Sequence, residues 1–148
     1  MENALPPHSL EAEKAVLGGI LYDPESIVKV KPTLEFDDFY HNGHQRIYAA
    51  MLDVYGDGLT CDLVTVNACL IDKKEISKVG GPAYLAELCE TVPSAAYIEQ
   101  HVRIVKEKAT LRRIIEQAQE IIKQTLEPGT KPDAIPTRLS IETSKTIS

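Results

Sequence analysis

"AAYIEQHVRIVKEKATLRRIIEQAQEIIKQTL", from Ala95 to Leu126, contains neither glycine nor proline. Read as one helix it would run about 48 Å at about 1.5 Å per residue. A globule of about 100 residues has a radius of gyration near ~13 Å, so this element is expected to outrun the body built by the preceding chain and to project from it. Its apolar residues Leu111, Ile114, Ile115, Ala118, Ile121, Ile122 and Leu126 cover an arc of ~140° when placed at ~100° per residue. A face that wide needs more cover than one short helix supplies.

The following segment, "LEPGTKPDAIPTRL" from Leu126 to Leu139, offers a turn at Pro128-Gly129 and a helix cap at Asp133. A return arm is therefore expected, which makes the long helix one side of an antiparallel helical hairpin. The arm carries Ile135, Leu139, Ile141 and Ile147 among many Ser and Thr residues and makes a weak seal. A second packing partner is expected on the long helix, most simply another copy of the chain. Ile115, Ile121 and Ile122 are its candidate contact residues, with Tyr84 as a further member.

Arg103, Lys106, Lys108, Arg112 and Arg113 make up the one basic concentration, interrupted only by Glu107. The plain reading is a solvated helix face. The sharper one is an electrostatic contact with acidic protein or phosphate, centred on Arg103, Arg112 and Arg113. No aromatic residues for stacking on bases accompany the stretch, so it is not a nucleic-acid motif by itself.

Upstream, Val92-Pro93-Ser94 is the last break before the long run, which divides the chain into a helical head, residues 1–93, and a hairpin arm, residues 94–148. Within the head, "KVGGPAYLAEL" from Lys78 to Leu88 sets two glycines and a proline before a helix. A helix start offers free N–H groups to a phosphate. The rest of a phosphate loop is missing: there is no G-x-x-x-x-G-K-S/T, and Pro82 removes one N–H from the turn that would hold the anion. The reading is a bend, with Tyr84, Leu85 and Leu88 orienting the next helix on the head.

"DLVTVNACLI", Asp62 to Ile71, is rich in β-branched residues, yet Val66, Cys69 and Leu70 keep helical spacing behind a capping Asp62, and a helix is expected. Ser9 is expected to cap a first helix with Glu11 and Glu13 in its opening turn and Val16, Leu17, Ile20 and Leu21 as its buried stripe. Asp23-Pro24 restarts a short helix. A tight turn then falls at Phe36 to Phe39, and a helix from about Gly43 ends at Gly56 and Gly58.

His41-x-x-His44 lacks a third ligand and reads as surface or cap histidines. Asp37-Asp38 reads as local capping, because adjacent carboxylates in a turn point apart and no nucleophile or base lies nearby. The three cysteines form no C-x-x-C pair, which favours buried thiols in a reducing cytoplasmic setting. No apolar run reaches the ~20 residues that span a bilayer.

The net charge of −6 is uneven: residues 1–100 carry 7 Lys/Arg against 16 Asp/Glu, and residues 101–148 carry 9 against 6. An acidic head repels phosphate, so strong direct DNA binding by it is disfavoured.

"PPHSLEAEKAVLGGIL", "FYHNGHQRIYAAM", "DLVTV", "VGGPAYLAEL" and "VPSAAYIEQHVRIVKEKATLRRII" occur in that order across about residues 5–126. Together they resemble the N-terminal domain of replicative hexameric DNA helicases of the DnaB type. The resemblance implies an all-α fold, a compact helical head followed by a projecting antiparallel helical hairpin. It implies a collar in which six copies associate as a trimer of dimers and where primase docks. It implies no cofactor in this part: ATP and Mg²⁺ belong to a following RecA-like domain that this chain stops before. In relatives the return arm is usually Leu-rich and acidic, whereas "KPDAIPTRLSIETSKTIS" has an early Pro136 and a polar tail.

Two other classes remain open at this point. A separate helicase-binding adaptor, either a loader or the helicase-binding part of a primase, would share a helical hairpin fold. A small helical hydrolase would need a convergent acid, base or metal set, and none is evident.

Overall fold

The computed structural model describes residues 4–92 and 94–135. All regular structure among them is helical. Six α-helices follow in order: α1 Leu10–Tyr22, α2 Ile27–Val30, α3 Asn42–Gly56, α4 Leu63–Asp72, α5 Gly81–Thr91 and α6 Ile98–Leu126. Short 3-10 turns at Pro24–Ser26, Phe36–Asp38, Ile76–Val79 and Pro132–Ala134 join or follow them.

Local chemistry sets most boundaries. Ser9 Oγ accepts the Ala12 N–H at 3.1 Å and starts α1. Asp62 and Thr65 cap α4 reciprocally, with Thr65 N donating to Asp62 Oδ1 at 2.9 Å, so the β-branched stretch is a helix. Asp23 makes no side-chain cap, and the chain after it passes through a 3-10 turn into the single turn of α2. Gly80 and Gly81 hold φ of 104° and 78°, a region costly for any residue with a Cβ. Pro82 then sits in the first turn of α5. The long helix begins at Ile98, three residues later than expected, because Ser94 Oγ caps Ala96 N–H at 2.9 Å and holds the intervening residues in a turn.

Helix α1 packs on both α5 and α6, and α3 packs on α4. The core draws on every α-helix, with Leu17, Ile20, Ile27, Phe39, Tyr48, Leu70, Leu85 and Ile98 among its fully buried side chains. Each such burial stabilises the fold by about 1.5–3 kcal/mol. Where α1 meets α5 the approach is close: a Cβ on Gly18 would lie 2.2 Å from Val92 Cγ2 and 2.4 Å from the Leu88 carbonyl oxygen.

A division at residue 93 cuts through this core. Ile98, Val102 and Val105 of α6 belong to the same apolar cluster as the head, because the first half of the helix lies along α1 and α2. From Leu111 onward no residue of α6 is buried, so the projecting part begins there. Of the expected return arm, Asp133 falls inside the 3-10 turn at Pro132–Ala134. Leu139, Ile141 and Ile147 lie outside the described residues.

Candidate functional site

Two buried polar clusters fix α6 and α5 against the head. The first centres on Asp38, a fully buried residue at the end of the 3-10 turn. Its carboxylate accepts the Glu35 N–H at 2.8 Å, which is the expected local cap. It also meets Lys106 Nζ at 3.3 Å and the Arg113 guanidinium, both from α6. Arg112 completes the clamp by donating to the Asp38 carbonyl at 2.7 Å and the Pro7 carbonyl at 2.8 Å. Its guanidinium also covers the Tyr40 ring, whose other contact is a stacked His8 at 4.3 Å.

The second cluster runs from α1 to α5. Glu13, buried, accepts the Tyr40 N–H at 2.7 Å, the His41 N–H at 3.3 Å and His44 Nδ1 at 2.8 Å. The other ring nitrogen of His44, Nε2, pairs with Tyr84 Oη at 2.6 Å. Burial, with Glu87 and Glu13 adding to it, pushes the Tyr84 phenol above its usual pKa and keeps it a donor.

These clusters correct two readings and bear out a third. His44 is not a surface histidine: it lies in the core, paired on both ring nitrogens. His41 is a cap, its Nδ1 accepting the Gly43 N–H at 3.1 Å. Arg112 and Arg113 do not form an outward basic patch with Arg103. Both turn inward to Asp38, where a buried carboxylate needs partners, and only Arg103 of the three faces solvent.

The candidate contact residues also separate. Ile115 and Ile122 are 41% and 59% exposed and lie on a different face of α6 from the buried Val102, Val105 and Ala109. Ile104, Leu111, Ala118 and Leu126 share that outer side at helical spacing, so the stripe starts beside the head, earlier than the apolar arc read from Leu111 onward. Ile104 escapes a reading by spacing because it neighbours Val105 and looks like core; its 38% exposure assigns it to the outer stripe. Ile121 is half-buried and about 100° round the helix from Ile122. Tyr84 stands apart on α5, half-buried against the core cluster and tied to His44.

At the root of the projecting half, a cleft of about 780 Å³ opens between the N-terminal segment and α6. Leu5, Pro6, Tyr40, Arg112, Ile115 and Gln119 line it, so Ile115 faces both the cleft and the outer stripe. Among the described residues no group of three or more His, Cys, Asp or Glu side chains is placed to hold a metal ion. Burial raises the pKa of the Cys61 and Cys69 thiols, which makes both poor nucleophiles. The chemistry on offer is that of surfaces: a clamped helix presenting an apolar stripe.

The family model of the DnaB-like helicase N-terminal domain matches residues 5–107. The chain belongs to this family. Among similar proteins, the replicative DNA helicase DnaB of Geobacillus stearothermophilus is 46% identical over 117 residues, 79% of this chain and 26% of that protein. The replicative DNA helicase DnaC of Bacillus subtilis (strain 168) is 41% identical over 147 residues, 99% of this chain and 32% of that protein. This DnaB-like domain therefore spans about a quarter to a third of the length of those relatives.

Solved structures agree on the fold. A crystal structure of the N-terminal domain of DnaB helicase from Mycobacterium tuberculosis superposes with a TM-score of 0.83 at 39% identity, covering 88% of this chain and 92% of that one. A DnaB-like replicative helicase, described together with its interactions with primase, superposes with a TM-score of 0.74 at 30% identity, covering 94% of this chain and 31% of that one. Among the described residues of this DnaB-like domain no helix is long and apolar enough to cross a membrane.

Proposed function

We propose that this domain is the assembly and partner-docking collar of a cytoplasmic replicative DNA helicase. Copies associate through the outer stripe of α6 into dimers, and three dimers into a six-membered ring. Primase docks on the same collar, and a helicase loader is a further candidate partner. ATP and Mg²⁺ are bound elsewhere in the parent protein, and this part touches DNA only weakly.

The observation that carries the reading is the apolar stripe of exposed Ile104, Leu111, Ile115 and Ile122, with half-buried Ala118 among them, on a helix whose other face is locked into the head. Single exposed apolar residues are ordinary, but a contiguous stripe on a projecting helix marks a contact surface. The cleft beside Ile115, rimmed by Arg112 and Gln119, gives a partner helix both an apolar floor and polar edges. Primase is supported as one such partner by the structurally similar DnaB-like helicase whose interactions with primase are described.

Sedimentation of Ile115→Asp and Ile122→Asp tests this, with circular dichroism for folding and primase pull-down beside it. Both variants should keep native helix content, because neither side chain is buried, and should lose association by at least about tenfold, since a carboxylate would be desolvated in the contact. Tyr84→Phe should leave association unchanged. Wild-type mass and primase capture in both Asp variants would refute the collar reading.

A further inference from the structure

The chain ahead of α1 runs as a strap, Ala4 to Ser9, against the root of the projecting half of α6. Ala4, Leu5 and Pro6 are exposed, Pro7 and His8 are half-buried, and the first buried residue among those described is Ala12. The strap therefore adds little to the core. Pro6 and Pro7 have no N–H to donate and bias the residues before them toward extended backbone, so this stretch meets its neighbours through carbonyl oxygens and rings.

Two contacts latch it to the body. Arg112 Nη1 donates to the Pro7 carbonyl at 2.8 Å, and the His8 ring stacks on Tyr40 with centroids 4.3 Å apart. The bond from His8 Nδ1 to the Pro6 carbonyl, 2.7 Å, stays within the strap. The seat beneath is held by other partners: Arg112 Nη2 donates to the Asp38 carbonyl at 2.7 Å, its guanidinium lies over the Tyr40 ring, and Gln45 Nε2 donates to the Phe39 carbonyl at 2.7 Å.

We propose that this seat is a binding site for an extended Pro-Pro segment of a partner protein, with a flat ring after the prolines, and that the chain's own residues 4–8 fill it as an autoinhibitory strap. This rests on the docking reading of the domain and deepens it by naming the class of segment that the root of α6 accepts.

The strap itself shows what the seat holds. Arg112 has donors only, so its outer nitrogen calls for a carbonyl oxygen. Burial lowers the Arg112 pKa, and a guanidinium with little water around it is left short of an acceptor when the strap swings out. The Tyr40 ring takes a flat ring as its stacking partner. Prolines suit the segment between, because a stiff extended chain loses little entropy on docking. Ala4, Leu5 and Pro6 also wall the cleft against Ile115 and Gln119, so displacing the strap widens the approach to the α6 stripe.

The test is fluorescence anisotropy of a labelled peptide with the chain's own residues 4–10, ALPPHSL, titrated with the 148-residue chain. The strap-opened variant Pro6→Gly/Pro7→Gly/His8→Ala keeps every buried residue and the Ser9 cap, and its helix content should match the parent. It should bind the peptide at least about tenfold more tightly than the parent, whose strap competes at the high effective concentration of a short tether. Adding Tyr40→Leu or Arg112→Lys should remove most of that binding, since lysine keeps the charge but loses the fork. A peptide with Ala-Ala in place of Pro-Pro should bind at least about threefold more weakly. Should the triple variant lose helix, His8→Ala alone gives the same comparison, with a gain of at least about threefold.

Peptide binding no tighter in the opened chains than in the parent, or undiminished by Tyr40→Leu, overturns the proposal. Equal binding of the Ala-Ala peptide overturns the choice of a proline segment as occupant. Sedimentation reads the collar separately: an opened chain that associates through α6 but takes no peptide loses the strap site alone, and one that takes the peptide without associating loses the self-assembly reading alone.

Discussion

The Glu13 carboxylate and the His44 imidazole meet at 2.8 Å across 31 residues of sequence, both out of solvent. This pair joins α1 to α3, and the carboxylate's two backbone donors at Tyr40 and His41 bind the loop between them. Glu13→Ala would leave three donors without an acceptor. We expect a loss of about 3–5 kcal/mol, the usual cost of removing one partner of a buried pair, read as a lower urea midpoint. Glu13→Gln, which keeps one acceptor oxygen, should lose less.

The Asp38 clamp separates the basic residues of α6 by role. Burial would lower the Arg113 pKa, but its bond to Asp38 and the charges of Asp38 and Asp37 hold it above the usual value. Arg113→Ala should therefore destabilise the chain by about 1–3 kcal/mol by leaving Asp38 short of a partner. Arg103→Ala, at an exposed position, should stay within about 0.5 kcal/mol. Thermal unfolding of the two variants side by side gives the comparison.

Helix α3 should weaken in acid. Burial and the neighbouring His44 lower the His41 pKa, outweighing the opposite pull of Glu13, and the neutral ring is what accepts the Gly43 N–H. The unfolded chain binds this proton more readily than the folded one, so His41's contribution is complete above its ordinary pKa of about 6.5 and declines as pH falls below it toward the lower folded value. His41→Asn keeps a capping side chain and should flatten that part of the stability–pH curve. An unchanged slope between neutral pH and the onset of carboxylate titration would show that His41 does not set it.

Gly18→Ala should be among the costlier single-methyl additions in the head. The new Cβ would collide with the Val92 side chain and with backbone at Leu88, and backbone gives way only by separating α1 from α5. About 1–3 kcal/mol is expected, measured by urea unfolding. Gly56→Ala, where a Cβ meets nothing within 4 Å, is the control.

What was legible in the sequence was what neighbouring residues decide. Ser9 and Asp62 cap the helices they precede, Gly80-Gly81 turns the chain, and the 3–4 spacing of Val66, Cys69 and Leu70 outweighs the β-branched composition around them. Long-range partners left no comparable trace. Glu13 reads as an acid at the positive end of a helix, and Asp38 as a local cap. Their burial depends on residues 31 and 75 positions away, which only the assembled fold brings together. For the same reason the basic run on α6 suggested an external contact, when two of its arginines neutralise a carboxylate of the head.

Because α6 is a core element in its first half and holds no buried residue from Leu111 onward, the domain has the mechanics of a lever with its pivot built in. A force on Leu126 acts about 20 Å beyond Arg113 at about 1.5 Å per residue, and the Asp38 clamp braces the helix at the near end of that length. Helix α1 packs on α6 as well as on α5, so a tilt of the beam loads α1 and, through Glu13 and His44, the seat of Tyr84. A partner pressing on the tip and one resting on the head would each feel the other's load through a single rigid member.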